Sequence, residues 1–165
     1  MALTYTITAA SGTLTGSGVF ANGETVVVGG KTYTFKDTLT NTDGFVHVGS
    51  DLEGSIKNLA AAINLSNAGE SAVGAGTDYA AATTENAEVE ATVITATTMK
   101  VVAKTPGSVG NLIASTETGS NAAWGAATLT LGAGHTQGWV DNMIALNQIN
   151  AEVAAEMLKL TPTAD

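Results

Sequence analysis

With 165 residues the chain has room for one sizeable hydrophobic core, or for one domain with an appendage, and two domains are not expected. Its formal net charge of −9 comes from 15 acidic residues against six lysines, with no arginine, which argues against a direct nucleic-acid partner because phosphate neutralisation needs a basic patch. Cysteine is absent, so disulfide frameworks, thiolate zinc sites and cysteine nucleophiles are excluded, and no stretch approaches the roughly 18 apolar residues of a membrane span.

The start, Met1 to Thr6, lacks a basic segment followed by an apolar run, so an ordinary signal peptide is not expected and the protein reads as soluble. Residues 3–20 alternate weakly, with Leu3, Tyr5 and Ile7 and then Leu14, Val19 and Phe20, and read as two short strands. Asn22-Gly23 is a turn, which predicts that the preceding strand folds back on the next one. The clearest signal follows. Gly29-Gly30 separates two alternating runs and tolerates the positive φ angles of a tight hairpin turn. That pairing sets Val28 opposite Lys31, Val26 opposite Tyr33 and Glu24 opposite Phe35. Val26, Val28, Tyr33 and Phe35 then share a core-facing side, and Thr25, Thr32 and Thr34 share the other with Val27.

Asn41 to Gly44 reads as a turn, and Phe45 to Val48 as a short strand leading into a helix over about 50–66. Ser50 and Glu53 have capping-box spacing, and Leu52, Ile56, Leu59 and Ile63 form a narrow apolar stripe beside Ala60, Ala61 and Ala62. Asn67 and Gly69 are its stop residues, and Gly54 costs about 1 kcal/mol in helix propensity, so packing must hold this helix. Residues 69–86 are small, polar and aperiodic and read as a long surface loop. A second strand pair spans roughly Val89 to Lys104 with a turn near Ala96 to Thr98, and its register stays open because no two-residue turn yields a clean apolar face. Pro106-Gly107 and Gly110-Asn111 mark turns around a strand over Leu112 to Ser115, and Ala127 to Leu131 reads as the last strand.

The composition then changes. Trp139, Met143, Leu146, Asn150, Val153, Met157 and Leu160 recur at alternating steps of four and three, a heptad seam with a polar residue at its centre. Val140, Ile144, Ile149 and Leu158 widen the stripe, so a helix over 139–160 either self-associates or packs on the β-domain or a neighbouring subunit. The expected organisation is therefore a β-rich domain over 1–132, a Gly-rich elbow over 133–138, an oligomerisation or docking helix over 139–160 and a tail over 161–165. The fold class is α+β, mainly β: a small antiparallel sandwich or barrel-like domain with one packed helix, plus a C-terminal amphipathic helix.

Chemistry-bearing residues are sparse. His47 lies on a strand without a second His or a carboxylate cluster at a converging spacing, and His135 lies in the elbow. Asp37, Asp43 and Asp51 bracket the loop before the helix and could in principle hold calcium, though they do not follow the twelve-residue calcium-loop pattern. Gly16-Ser17-Gly18 and Gly107-Ser108-Val109-Gly110 match no phosphate-binding or dinucleotide fingerprint. Trp124 and Trp139 flank the last strand and read as core residues or, alternatively, as a glycan-stacking or partner-anchoring surface. No catalytic residue, cofactor or metal site is expected.

Four stretches together carry a resemblance: Asn22 to Phe35, the Leu59 to Asn64 helix segment, Ala103 to Gly107 with Gly110-Asn111, and Ala123 to Leu129. Their order and spacing resemble a small β-domain of tailed-bacteriophage structural proteins, over about residues 10–132. The resemblance implies a non-enzymatic protein at the virion surface, made in the host cytoplasm. Head decoration on the major capsid protein is favoured, and a tail- or fibre-associated module binding host glycan or another virion protein is the alternative. It also suits a homo-oligomer, a trimer among the options, with no membrane or nucleic-acid partner.

Overall fold

The computed structural model describes residues 7–134. Along the chain come β1 (Ser11–Gly16), β2 (Thr25–Val28), β3 (Lys31–Lys36), β4 (Phe45–His47), α1 (Leu52–Asn64), β5 (Val89–Ile94), β6 (Thr98–Ala103), a 3₁₀ turn (Ser108–Leu112), β7 (Ser115–Glu117) and β8 (Ala122–Trp124). The strands form two four-stranded sheets, ordered β5-β6-β1-β8 and β4-β3-β2-β7. At one side the sheets meet through β7 and β8, where the Trp124 indole N–H donates to the Thr116 carbonyl at 3.2 Å. At the other side α1 packs on β5 and β4 and closes the gap between the sheets. The result is mainly β with one packed helix, and the core lies between the two sheets and α1.

The β2–β3 hairpin has the expected register, with Val26 opposite Tyr33 and Val28 opposite Lys31. Gly29 and Gly30 hold φ values of 58° and 67°, both in the left-handed region that a two-residue turn of this hand requires. Val26, Val28, Tyr33 and Phe35 are fully buried, and Phe35 stacks on Phe20 with ring centroids 4.1 Å apart. Lys31 shares their side of the sheet, but its long stem carries the ammonium out to Asp43 at 2.7 Å. At the base of the hairpin the Gly23 N–H donates to the Phe35 carbonyl while the Phe35 N–H donates to the Glu24 carbonyl, so two residues oppose one in a bulge.

The α1 stripe is buried as its spacing predicts, with Ile56, Leu59 and Ile63 fully covered and each contributing about 1.5–3 kcal/mol by leaving water. Its ends differ from expectation. Asp51, not Ser50, is the N-cap: its Oδ1 accepts the Gly54 N–H at 2.8 Å. Ser50 turns instead to the Glu70 carboxylate, which accepts its N–H at 3.0 Å and its hydroxyl, and Glu53 pairs with Lys57 at 2.6 Å. Gly54 now has a reason, since a Cβ there would sit 2.6 Å from the Glu70 carboxyl carbon. The helix stops at Leu65, a left-handed C-cap with φ 48°, before Asn67 and Gly69 are reached.

Other expectations are corrected. β1 does not fold back on β2 but pairs with β6 and β8 in the opposite sheet, and the connection between them crosses the core with Phe20 buried against Phe35. β3 and β4 run parallel, since the turn at Asp43-Gly44 sends the chain forward again, so the architecture is not purely antiparallel. The register of β5 and β6 shifts between Ala91 and Val93, and this irregularity is why no single register shows a clean apolar face. Residues 69–86 are irregular and largely exposed as expected, and the buried Asp78, Tyr79, Ala80 and Asn86 anchor the segment on the core. The strand expected over Leu112 to Ser115 is replaced by the 3₁₀ turn followed by β7, and Ala127 to Leu131 makes only isolated bridges, Thr128 to Ala114 and Thr130 to Ser11. The expected helix over 139–160, with Trp139, Met143, Leu146, Asn150, Val153, Met157 and Leu160, lies outside the described residues, as does His135.

Candidate docking interface

The point at which the chain leaves the described domain is fixed by a short ladder. Ser11 and Thr130 exchange backbone hydrogen bonds at 2.8 and 2.9 Å, and Thr8 and Ala133 exchange two at 3.0 Å. From the other side the Ser108 N–H donates to the Gly134 carbonyl at 3.1 Å, and the Asn111 amide bonds both backbone groups of Gly132, at 3.0 and 2.9 Å. Residues 130–134 are thus held between β1's approach and the 3₁₀ turn.

Apolar side chains stand exposed at this end. Leu112 is 80% exposed, Leu131 77% and Val109 54%. Leu112 and Val109 rim an open groove of about 470 Å³ whose floor includes Ala87 and Ile113 and whose charged member is Glu88. Leu131 also holds φ 66°, a left-handed conformation that costs a leucine on the order of 1 kcal/mol or more.

The charged groups elsewhere hold backbone and neighbouring side chains in place. Asp43 accepts from Lys31, from the Thr84 N–H at 2.9 Å and from the Thr84 hydroxyl at 3.1 Å. Burial pushes its carboxyl up, but the bonds from Lys31 and Thr84 outweigh that and hold it below the usual range. Asp78 is 2% exposed and accepts N–H bonds from Ser71 at 2.9 Å and Gly74 at 2.8 Å. Burial again pushes it up, and the bonds from Ser71, Gly74 and Val73 leave it below the ordinary value. Tyr33 is pushed up to about 12, chiefly by burial, with the Asn86 amide acting against the shift. His47 is half-buried on β4, its backbone bonded to Asp78 and Asn58. Asp43 and Asp51 serve the Lys31 network and the helix cap, and among the described residues no three His, Asp or Glu side chains form a group that could hold a metal ion.

Four asparagines, which spacing alone did not single out, tie the irregular segments to the regular ones. Asn58 joins the His47 carbonyl at 3.1 Å to the Glu70 N–H at 2.7 Å, and Asn64 bonds both backbone groups of Ala91, at 2.8 and 2.9 Å. Asn86, 1% exposed, donates to the Val28 carbonyl and the Tyr33 hydroxyl and accepts from Glu88 and Val89. Asn111 holds the chain exit. A side-chain amide carries the same donor and acceptor as a peptide unit, so each of these replaces a missing strand partner. Trp124 is half-buried and also borders a shallow cleft of about 300 Å³ with Thr116 and Glu117.

No protein-family model matches this chain, and no curated protein matches it.

Proposed function

We propose that this chain is a non-enzymatic structural protein of a tailed-bacteriophage virion, displayed at the particle surface and acting as a head decoration protein on the major capsid protein. The observation that carries the assembly role is the gathering of Val109, Leu112 and Leu131 at the end of the domain from which residues 135–165 depart. The phage assignment is supported by the resemblance of the hairpin, helix, Pro106-Gly107 and Trp124 stretches to the phage β-domain. A decoration protein bridges shell subunits through complementary surface and needs no reactive pocket. The net charge of −9 would keep neighbouring particles apart. In this role the seam from Trp139 to Leu160 joins copies or docks on the shell. Immunogold microscopy with antibody to the β-domain tests it: gold over the head is expected, and purified protein that fails to bind capsids lacking it would overturn the reading.

A tail- or fibre-associated module that binds host glycan is the second reading, favoured by the Trp124 cleft, where an indole stands beside the Thr116 and Glu117 polar groups. Gold confined to the tail together with glycan-array binding that Trp124→Ala abolishes would replace the first reading with this one.

A further inference from the structure

Three of the four outer sheet edges, those of β4, β5 and β7, carry a partner. On β4, the His47 N–H donates to the Asp78 carbonyl at 3.0 Å and the Ala80 N–H to the Phe45 carbonyl at 2.9 Å. Asn64 engages the β5 edge at Ala91, and on β7 the Ser115 N–H donates to the Ala127 carbonyl at 2.9 Å. A partner is therefore not invited to add a strand at these positions, and association falls to side-chain surface. The apolar surface at the chain exit is that of Val109, Leu112 and Leu131.

We propose that this patch seats the beginning of the chain's own 139–160 segment, with Val140 and Ile144 laid on it and the seam of Met143, Leu146 and Asn150 left to face other copies or the shell. The length of chain supports this occupant. Four residues separate Gly134 from Trp139, and the five steps between them, at about 3.3–3.6 Å each, reach no further than roughly 18 Å from an exit that is itself bonded to the 3₁₀ turn bearing Val109 and Leu112. The sequence pattern supports the choice of residues, since Val140 and Ile144 are four apart and fall beside the heptad seam. Leu131 adds to the patch an exposed side chain on a left-handed backbone that glycine would adopt without strain.

The inference rests on the proposed assembly role for its purpose, while its test needs only the purified full chain, so failure of one is not mistaken for failure of the other. The cysteine-free background permits paired substitutions without competing thiols. Leu112→Cys with Ile144→Cys, oxidised at low protein concentration, is expected to close an intramolecular disulfide at least tenfold faster than Val19→Cys with Ile144→Cys, whose first residue lies beyond the far end of β1. A disulfide between two chains would assign the seat to another copy's segment, and closure no faster than the control would show an empty seat; either overturns the proposal. A second variant guards against misfolding. Leu131→Gly suits the left-handed backbone and should leave domain unfolding unchanged while raising amide hydrogen exchange over residues 140–148 about tenfold; unchanged exchange would also overturn it.

Discussion

The β2–β3 hairpin and the segment 69–86 border the same core and are held by different means. The hairpin buries Val26, Val28, Tyr33 and Phe35 from alternate positions and satisfies its backbone by a ladder. The segment has no ladder of its own. It inserts Tyr79 and Ala80 and satisfies its backbone through local turn bonds, two bonds to β4, the carboxylate of Asp78 and the amide of Asn58, while Asn86 ties its end to the hairpin. In the hairpin, side chains exclude water and a ladder supplies order; in the segment, scattered turn bonds and a few buried polar side chains share that task. Loss of an apolar group in the first should cost transfer and cavity energy, whereas loss of a polar group in the second strands several buried partners at once.

The largest effect is expected in the hairpin. Phe35→Ala removes a fully buried ring stacked on Phe20 and should cost about 3–5 kcal/mol in denaturant unfolding; a loss below about 2 kcal/mol would mean that the two sheets collapse onto the gap. Next, Asn86→Ala leaves the Val28 carbonyl, the Tyr33 hydroxyl and two N–H groups without a partner and should cost about 3 kcal/mol despite removing little apolar surface. An Asn86 effect under 1 kcal/mol would erase the distinction between the two regions.

Acid sharpens the comparison further. Asp78 is held below the ordinary carboxylate value when folded, so the unfolded chain binds the more protons in acid. Its contribution is present above the unfolded value near pH 4 and is lost as pH falls through the folded one. Asp78→Asn should cost about 1–2 kcal/mol at neutral pH and flatten the stability profile below about pH 4, while the hairpin variant keeps that slope. The smallest change in stability, about 1 kcal/mol, is expected for Asn64→Ala, which uncovers Ala91 on the β5 edge. Its clearer readout is light scattering on prolonged incubation, where faster growth than wild type is expected from the bared edge.

Much of the hairpin and the α1 stripe was legible because period and turn residues are local signals. Gly29-Gly30 sets a register within twelve residues, and Ile56, Leu59 and Ile63 repeat within three turns. The helix cap slipped by one residue because Ser50 and Asp51 are both good caps, and only Glu70, far along the chain, decides between them. The partners of β1 were hidden since they arrive from residues 98–103 and 122–124, and no local pattern announces a pairing across the core. The asparagine bonds are invisible for the same reason: each joins groups whose neighbourhood exists only after folding. The chain-exit end was misread at Leu112, which was placed at the start of a strand and which stands 80% exposed at the end of the 3₁₀ turn. The seam from Trp139 to Leu160 remains a reading of the sequence.

One consequence follows from the ladder that joins residues 8–11 to 130–133. Because those two stretches run antiparallel, tension applied between the two ends of the domain would load the Thr8–Ala133 bonds before the Ser11–Thr130 bonds, one pair after another. That is an unzipping load, and it would open at modest force. A domain held only through the chain beyond Gly134 never feels it, so single-point attachment would protect this fold mechanically in a way that suspension from both ends could not.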